Sequence, residues 1–387
     1  MASKLLTVFM QIEDKRRGVT VFHDLNDILL MAIISVICGA NSWNEIERYC
    51  NLKVEWLRGF LKLENAIPSH DTFNRVINSI DNGQLEKCFM EWVNTLIDSS
   101  IELEIINIDG KTINGAKEHG KKSLIHMVSA WACKNNLVLG QVKVDEKSNE
   151  ITAIPKLLEL LSVKDSIITI DAMGCQVLIA EEVIKQGADY VLAVKGNQPK
   201  LYENIIDEYR FLKSPQFSKQ YELDHGRIET RTCTVIKDFQ FIENQDKWKN
   251  LTSLIRIEST RSFKNSSKKD ESSVRYYISS ADKSAEEFQD IIRLHWSIEN
   301  KLHWTLDIAF REDLSRKRKA NGAQNFSLIT KIALNILKND KSVKIGIKGK
   351  RLMAGWDNQF IEKLLGFLIV DFSYLRLPWQ YSPNLSN

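Results

Sequence analysis

The chain predicts a helical N-terminal domain followed by an α/β domain, on three observations. Residues 1–100 place apolar side chains at helical spacing with few strand signals. The period changes at Ile101, where a short apolar run, I-I-N-I, ends in Asp109-Gly110. From there the order reads three strands, helix, strand, helix, strand. At 387 residues the chain is long enough for two or three domains.

Each element has a local reason. Asp24 is placed to cap a helix over 25–40, and Ser42 one over 43–50. The apolar run from Ile28 is uncharged but too short to span a bilayer, so it predicts a buried helix. P-S-H-D at 68–71 reads as a turn plus cap before a helix over 72–80, and 85–97 has helical spacing. Asn135-Asn136 is a hairpin turn between strands at 124–132 and 137–144. A helix over 151–161 tolerates Pro155 only in its first turn. A strand over 166–170 ends at Asp171, a helix covers 176–186, and a strand over 190–194 runs into Lys195-Gly196-Asn197. Residues 200–282 read as a β-rich insertion with strands at 230–236, 251–259 and 274–280 and a polar loop at 264–273. Helices return over 284–310 and 325–337, with a C-terminal tail over 346–387.

Composition narrows the class. Hydrophobic residues make up 43% and charged residues 27%, with Gly 17 and Pro 6, which excludes disordered and collagen-like chains. The N-terminus shows no secretory signal or membrane segment, so a cytoplasmic protein is expected. Six scattered cysteines form no C-x-x-C pair; buried thiols in a reducing compartment are expected. A net charge of +3 is too mild to establish nucleic-acid binding, but 311–351 holds twelve Lys/Arg against three acids.

Two carboxylates sit where α/β folds place their sites, at strand C-termini: Asp109 in N-I-D-G-K-T and Asp171 in T-I-D-A-M-G. Each alone reads more readily as a turn residue or helix cap; the two at like positions on neighbouring strands bring the functional reading level with that one. Gly110 and Gly174 permit close approach of backbone or ligand. Glu299 supplies a third acid in H-W-S-I-E-N-K-L-H-W, where a regular helix would align His295, Glu299 and His303 on one face. An H-x-x-x-E-x-x-x-H transition-metal site is the alternative. Three hard carboxylates favour Mg²⁺ or Mn²⁺, and two such ions about 4 Å apart suit phosphodiester chemistry. Asp145, Glu146 and Glu150 compete as acids and read as loop and cap residues.

These motifs, together with H-M-V-S-A-W, L-G-Q-V-K-V-D-E-K-S-N-E-I, Y-V-L-A-V-K-G-N-Q and D-H-G-R-I-E-T-R, resemble one family in order along nearly the whole chain. It is the transposases of bacterial insertion sequences in the H-repeat-associated group. G-A-N-S-W-N-E-I-E and I-P-S-H-D-T-F-N-R-V resemble that family's helical N-terminal domain. The resemblance implies a ribonuclease-H-like core, a mixed five-stranded sheet with helices, over 101–345. It also implies a β-rich insertion at about 200–282 and an all-helical domain over 1–100. It places the DDE acids on Asp109, Asp171 and Glu299, holding two Mg²⁺ or Mn²⁺ ions. The Tyr-Arg-Glu-Lys signature of the wider superfamily has His295 at its Arg position and Leu306 at its Lys position here, so the roles of those two do not carry over.

By matching motifs, Lys111, Lys195, His225 and Arg227 are candidates for phosphate contact, as is the basic run Arg316, Lys317, Arg318 and Lys319. A solvated charge is the ordinary alternative for each. The resemblance implies a nucleoid-associated enzyme, a homodimer on DNA, that cleaves terminal inverted repeats and joins the 3′-hydroxyl to target DNA. Two other readings compete: a decayed element that only binds DNA, and a haloacid-dehalogenase-type phosphatase suggested by D-G-K-T. The phosphatase needs a nucleophilic Asp where this chain has Asn107.

Overall fold

The computed structural model describes residues 5–17, 21–98, 101, 103–116, 125–145, 149–211, 216–224, 227–263 and 269–366. It divides into two compact units. One comprises Met1–Leu96, Ile113–Leu124 and Thr305–Asn387; the other comprises Ile97–Thr112 and Ile125–Trp304.

The first unit is helical. Asp24 accepts hydrogen bonds from the amides of Asn26 and Asp27, which starts the helix Leu25–Ile37. That helix is apolar around its whole circumference and is buried accordingly. Ser42 and Glu45 form a reciprocal capping box at the start of Trp43–Leu52. Ser69 caps His70–Ser79, and Asp81 caps Asn82–Asn94. The long helix Gly322–Asn339 packs against Leu25–Ile37, His70–Ser79 and Asn82–Asn94. Ile347–Trp356 and Asn358–Leu365 join the same unit, so the helical pieces beyond residue 346 are part of a packed body up to Leu365.

Arg351 shows why. Its Nε and Nη2 donate to the Val36 carbonyl at 2.9 and 2.7 Å, and Nη2 also donates to Ala40 at 3.0 Å. These carbonyls lie at the C-terminal end of Leu25–Ile37, where intrahelical partners run out. Lys350 likewise donates to the Leu337 carbonyl at 2.9 Å, near the end of Gly322–Asn339.

The second unit is built on one nine-stranded mixed sheet. Its strands are β1 Ile105–Ile113, β2 Ile125–Ala132, β3 Leu137–Lys143, β4 Ile167–Ile170, β5 Asp189–Val194, β6 Gln216–Asp224, β7 Arg227–Ile236, β8 Ser253–Phe263 and β9 Glu271–Ser279. Their order is β3-β2-β1-β4-β5-β9-β8-β7-β6. β1, β4 and β5 pair in parallel. The insertion adds four strands to the same sheet, because β9 pairs antiparallel with β5. Asn136 turns the β2–β3 hairpin with φ of 55°, the left-handed conformation that asparagine tolerates.

Three readings from the sequence need correction. Pro155 lies in the second turn of Glu150–Leu160, not the first, so this helix forgoes the amide that would have bonded the Ile151 carbonyl. The insertion contains a helix, Pro199–Arg210, and a fourth strand, β6, that its apolar pattern did not reveal. The helix expected over 284–310 is interrupted. Ala285–His295 is regular, Ile298–His303 is π-helical, and Trp304–Phe310 is regular again. The wider turn breaks the four-residue stripe of His295, Glu299 and His303.

Candidate active site

The parallel register of β1 and β4 sets Asn107 opposite Thr169 and Ile108 opposite Ile170. One step further along each chain come Asp109 and Asp171, at the same level of adjacent strands. Asp171 spends one oxygen on its own turn: Oδ1 accepts from the amides of Met173 at 3.0 Å and Gly174 at 3.3 Å. The turn-residue reading of this aspartate is therefore true, and its side chain still lines the same cavity as Asp109. That cavity, of about 360 Å³, is also lined by Lys195, Tyr202, Arg275, His295, Trp296 and Glu299.

Glu299 reaches Asp109 from the π-helical turn. Asp109, Glu299 and His303 each offer one ligand atom, all within 4.8 Å of one another. His303 Nδ1 stands 3.1 Å from Glu299 Oε2 and 3.6 Å from Asp109 Oδ2. Glu299 is exposed while His303 is buried. The trio Asp109, Asp171 and Glu299 therefore converges on one cavity, and His303 joins it. The H-x-x-x-E-x-x-x-H pattern was the signal for His303.

Electrostatics at Asp109 favour a neighbouring cation. Burial pushes its carboxyl up to about 7, and the negative charges of Asp171, Glu150 and Glu299 push the same way, against a hydrogen bond from the Gly110 amide. Oxygen donors with one imidazole suit Mg²⁺ or Mn²⁺, so the residues present fit a divalent ion.

Behind this cluster lies a hydrogen-bonded carboxyl–imidazole pair. Glu150 Oε1 and His126 Nε2 are 2.5 Å apart, and His126 Nδ1 is 2.8 Å from Thr112 Oγ1. A Cβ on Gly110 would collide with both Glu150 and His126, so any side chain here requires that pair to move. Glu150, read from sequence as a helix cap, is instead the partner of a histidine and an electrostatic neighbour of Asp109.

Asn107 and Thr169 are fully buried one rung below the aspartates. Asn107 Nδ2 donates to the carbonyls of Leu294 (2.7 Å) and His295 (3.0 Å) and to Ser297 Oγ (3.2 Å). Thr169 donates to Asn107 Oδ1 at 2.7 Å and lies 2.9 Å from His295 Nδ1. Burial, and secondarily the charge of Arg275, push the His295 imidazole down to about 4. The position that a phosphatase would need as its nucleophile is thus an amide committed to backbone carbonyls.

The basic candidates separate. Lys195 is exposed at the end of β5 and lines the cavity; Lys111 is half-buried on β1 beyond Asp109. His225 lies outside the described residues, and of Arg227 only the backbone, opening β7, is described. In the helical unit Arg316 and Lys319 are exposed. Lys317 is buried, donates to the Asn41 carbonyl at 2.8 Å, and sits 3.4 Å from the Phe326 ring centre. Burial pushes its ammonium down to about 7. Arg318 donates to the Gly115 carbonyl at 3.2 and 3.1 Å. A second cavity, of about 570 Å³, holds cations that sequence reading passed over: Arg231, Arg261, Arg275, Arg293 and Lys301. They come from separate strands and helices, so no local charge run marks them.

The six cysteines form no disulfide with one another, and five of the six are buried. Among the described residues no helix is long and apolar enough to cross a membrane.

An acidic cluster at the strand ends of an α/β sheet, facing a cavity and fit for a divalent cation, is an arrangement suited to metal-dependent phosphoryl transfer. Comparison with known proteins agrees. The model described as transposase DDE domain matches residues 101–336, and the model described as DDE_Tnp_1-associated matches residues 6–93. The chain belongs to the DDE transposase family and is similar throughout to its H-repeat-associated members. "Putative transposase YncI" of Escherichia coli O157:H7 is 45% identical over 371 residues, 93% of this chain and 94% of the relative. "H repeat-associated putative transposase YhhI" of E. coli K12 is 42% identical over 374 residues, 94% of this chain and 97% of the relative. "Inactive transposase YbfQ" of E. coli K12 is 39% identical over 75 residues, 19% of this chain and 89% of the relative.

Proposed function

We propose that this chain cuts the ends of a bacterial insertion sequence and joins the freed 3′-hydroxyl to target DNA by phosphodiester transesterification. The observation that carries the reading is the meeting of Glu299 with Asp109, in a cavity that Asp171 also lines from the adjacent parallel strand. The strand order β3-β2-β1-β4-β5 beside these acids supports a five-stranded ribonuclease-H-like core, which the four insertion strands extend.

Asp109, Asp171 and Glu299 would hold the Mg²⁺ or Mn²⁺ ions, and His303 Nδ1 is placed to orient Glu299 or to join as a ligand. Such ions, when bound, lower the pKa of an attacking water or hydroxyl and neutralise charge on the leaving oxygen. The protein's own contribution is placement. Lys195, at the rim of the cavity, is placed to hold a DNA phosphate, and the arginine-lined cavity sharing Arg275 and Trp296 offers the backbone a continuing path. Lys111, His225, Arg227, Arg316 and Lys319 are further candidates for DNA contact. Pairing of two transposon ends calls for a homodimer on the DNA, acting at the nucleoid.

The test is cleavage of labelled terminal-repeat DNA with Mg²⁺. Wild type is expected to nick at the repeat end, and Asp109→Asn and Glu299→Gln to retain DNA binding without nicking. Nicking by either variant at the wild-type rate would overturn the reading. Binding without cleavage by wild type would instead support a DNA-binding remnant.

A further inference from the structure

We propose that Asn107, Thr169 and His295 are positioning residues, whose buried hydrogen-bonded chain fixes the end of the Ala285–His295 helix against β1 and β4 and so sets where Glu299 meets the two aspartates. This rests on the acid-trio reading above.

The chain has a direction. The Asn107 amide nitrogen faces two backbone carbonyls, so Nδ2 is the donor there and Oδ1 must accept. The Thr169 hydroxyl has one proton, and it goes to that Oδ1 at 2.7 Å. His295 Nδ1, 2.9 Å from the same hydroxyl, must then carry a proton and donate. The path runs from the His295 ring through Thr169 and Asn107 and returns to the carbonyls of Leu294 and His295. It closes on the residues where the regular helix gives way to the π-helical turn bearing Glu299. Ser297, 3.2 Å from the Asn107 amide and 3.3 Å from Cys133 Sγ, ties the first residues of that turn to the same point.

Apolar packing alone would hold the helix. Phe288, Ile291 and Ile292 are buried under it. Greasy contacts, however, tolerate sliding and rotation, whereas a fully satisfied polar chain accepts one arrangement. Both polar strand residues sit two positions before the acids they serve, so the same rung that levels the aspartates also anchors the glutamate's helix. An Asn and a Thr with almost no exposure inside a sheet are costly to bury, and this return explains their presence.

The test uses full-length protein and Mn²⁺ titrated by electron paramagnetic resonance, with melting temperature as the control. Thr169→Val keeps shape and removes the hydroxyl; it should weaken Mn²⁺ binding about tenfold in protein still folded at the assay temperature, with a lowered melting temperature because Asn107 Oδ1 and the His295 Nδ1 proton lose their partner. Thr169→Ser should restore wild-type affinity. Glu299→Gln serves as the reference for a lost third acid. Wild-type affinity in Thr169→Val, or no rescue by Thr169→Ser, overturns the positioning role. Wild-type affinity in Glu299→Gln overturns the metal-site reading instead. Should Thr169→Val fail to fold, the ¹⁵N spectrum of wild-type His295 decides. A proton on Nδ1 supports the chain; a proton on Nε2 alone breaks it.

Discussion

Asn107 and Thr169 face each other across parallel strands, joined by a 2.7 Å hydrogen bond, two positions before Asp109 and Asp171. The rung makes the two acids a matter of register. A one-residue slip of β1 against β4 would turn one aspartate to the other face of the sheet. Sheet pairing and site geometry are therefore one constraint.

Stability without metal should depend on pH through Asp109. Its folded-state pKa, about 7, lies above the ordinary value of 3.8 because burial and three neighbouring acids disfavour the charge. The folded state therefore binds more protons than the unfolded state between these values. The contribution is fully present below pH 3.8 and is lost as pH rises through 7, amounting to about 4 kcal/mol at most. Urea unfolding of metal-free wild type and Asp109→Asn should show the gap between them widening from pH 4 to pH 7 in favour of the variant. Mn²⁺ should stabilise wild type at pH 7.5 and do little at pH 5. A gap that is flat across this window would show that Asp109 is not so perturbed.

Gly110→Ala should damage the site from behind. The added methyl collides with Glu150 and His126, which hold each other at 2.5 Å and cannot both withdraw cheaply. Overpacking of this kind costs about 1–3 kcal/mol. The expected outcome is a lowered unfolding midpoint with weakened Mn²⁺ binding, since Gly110 adjoins Asp109. Trimming the obstacle in Gly110→Ala/Glu150→Ala should recover part of the lost stability; a double variant as unstable as the sum of two independent losses would argue against the collision.

What the sequence made legible was local. Asp24, Ser42 and Ser69 announce their helices because capping is decided within four residues. Asp109 and Asp171 announce themselves because an apolar strand ending in a carboxylate is unusual. Tertiary decisions were hidden. β6 exposes Phe217, Tyr221 and Leu223, so its alternation runs opposite to that of an ordinary half-buried strand. The π-helical turn at Ile298–His303 leaves no propensity signature, yet it decides that His303 stays with Glu299 while His295 goes to Thr169. Lys317, Lys350 and Arg351 fall in the basic stretch that sequence offers for phosphate contact, and they are buried on backbone carbonyls that sequence cannot locate.

Arg351→Met should cost heavily although it removes a buried charge. The guanidinium serves the carbonyls of Val36 and Ala40 and lies 4.2 Å from the Phe310 ring centre. Met fills the volume but removes the donor to the Ala40 carbonyl and leaves Val36 with the Gly39 amide at 3.3 Å, a penalty of about 1–3 kcal/mol for a buried acceptor left unpaired. Arg351→Lys keeps a charge and loses the fork, so it should fall between wild type and Arg351→Met in chemical denaturation. Equal stability of all three would mean that the carbonyls find other partners.

The run Arg316, Lys317, Arg318 and Lys319 offers a test that separates charge on the surface from charge in the fold. Arg316 and Lys319 are exposed and free to meet phosphates, whereas Lys317 is buried over the Phe326 ring and Arg318 is engaged with Gly115. Each phosphate contact releases condensed counterions, so its loss reduces the salt dependence of binding by about one unit of slope. Arg316→Ala and Lys319→Ala should each weaken binding to terminal-repeat DNA and flatten the plot of log affinity against log salt by that amount, with unfolding midpoints unchanged. Lys317→Met should leave the slope alone and move the unfolding midpoint. If Lys317→Met flattens the slope while Arg316→Ala and Lys319→Ala do not, the loop must reorganise on DNA, turning outward the side chain that the free protein keeps inside.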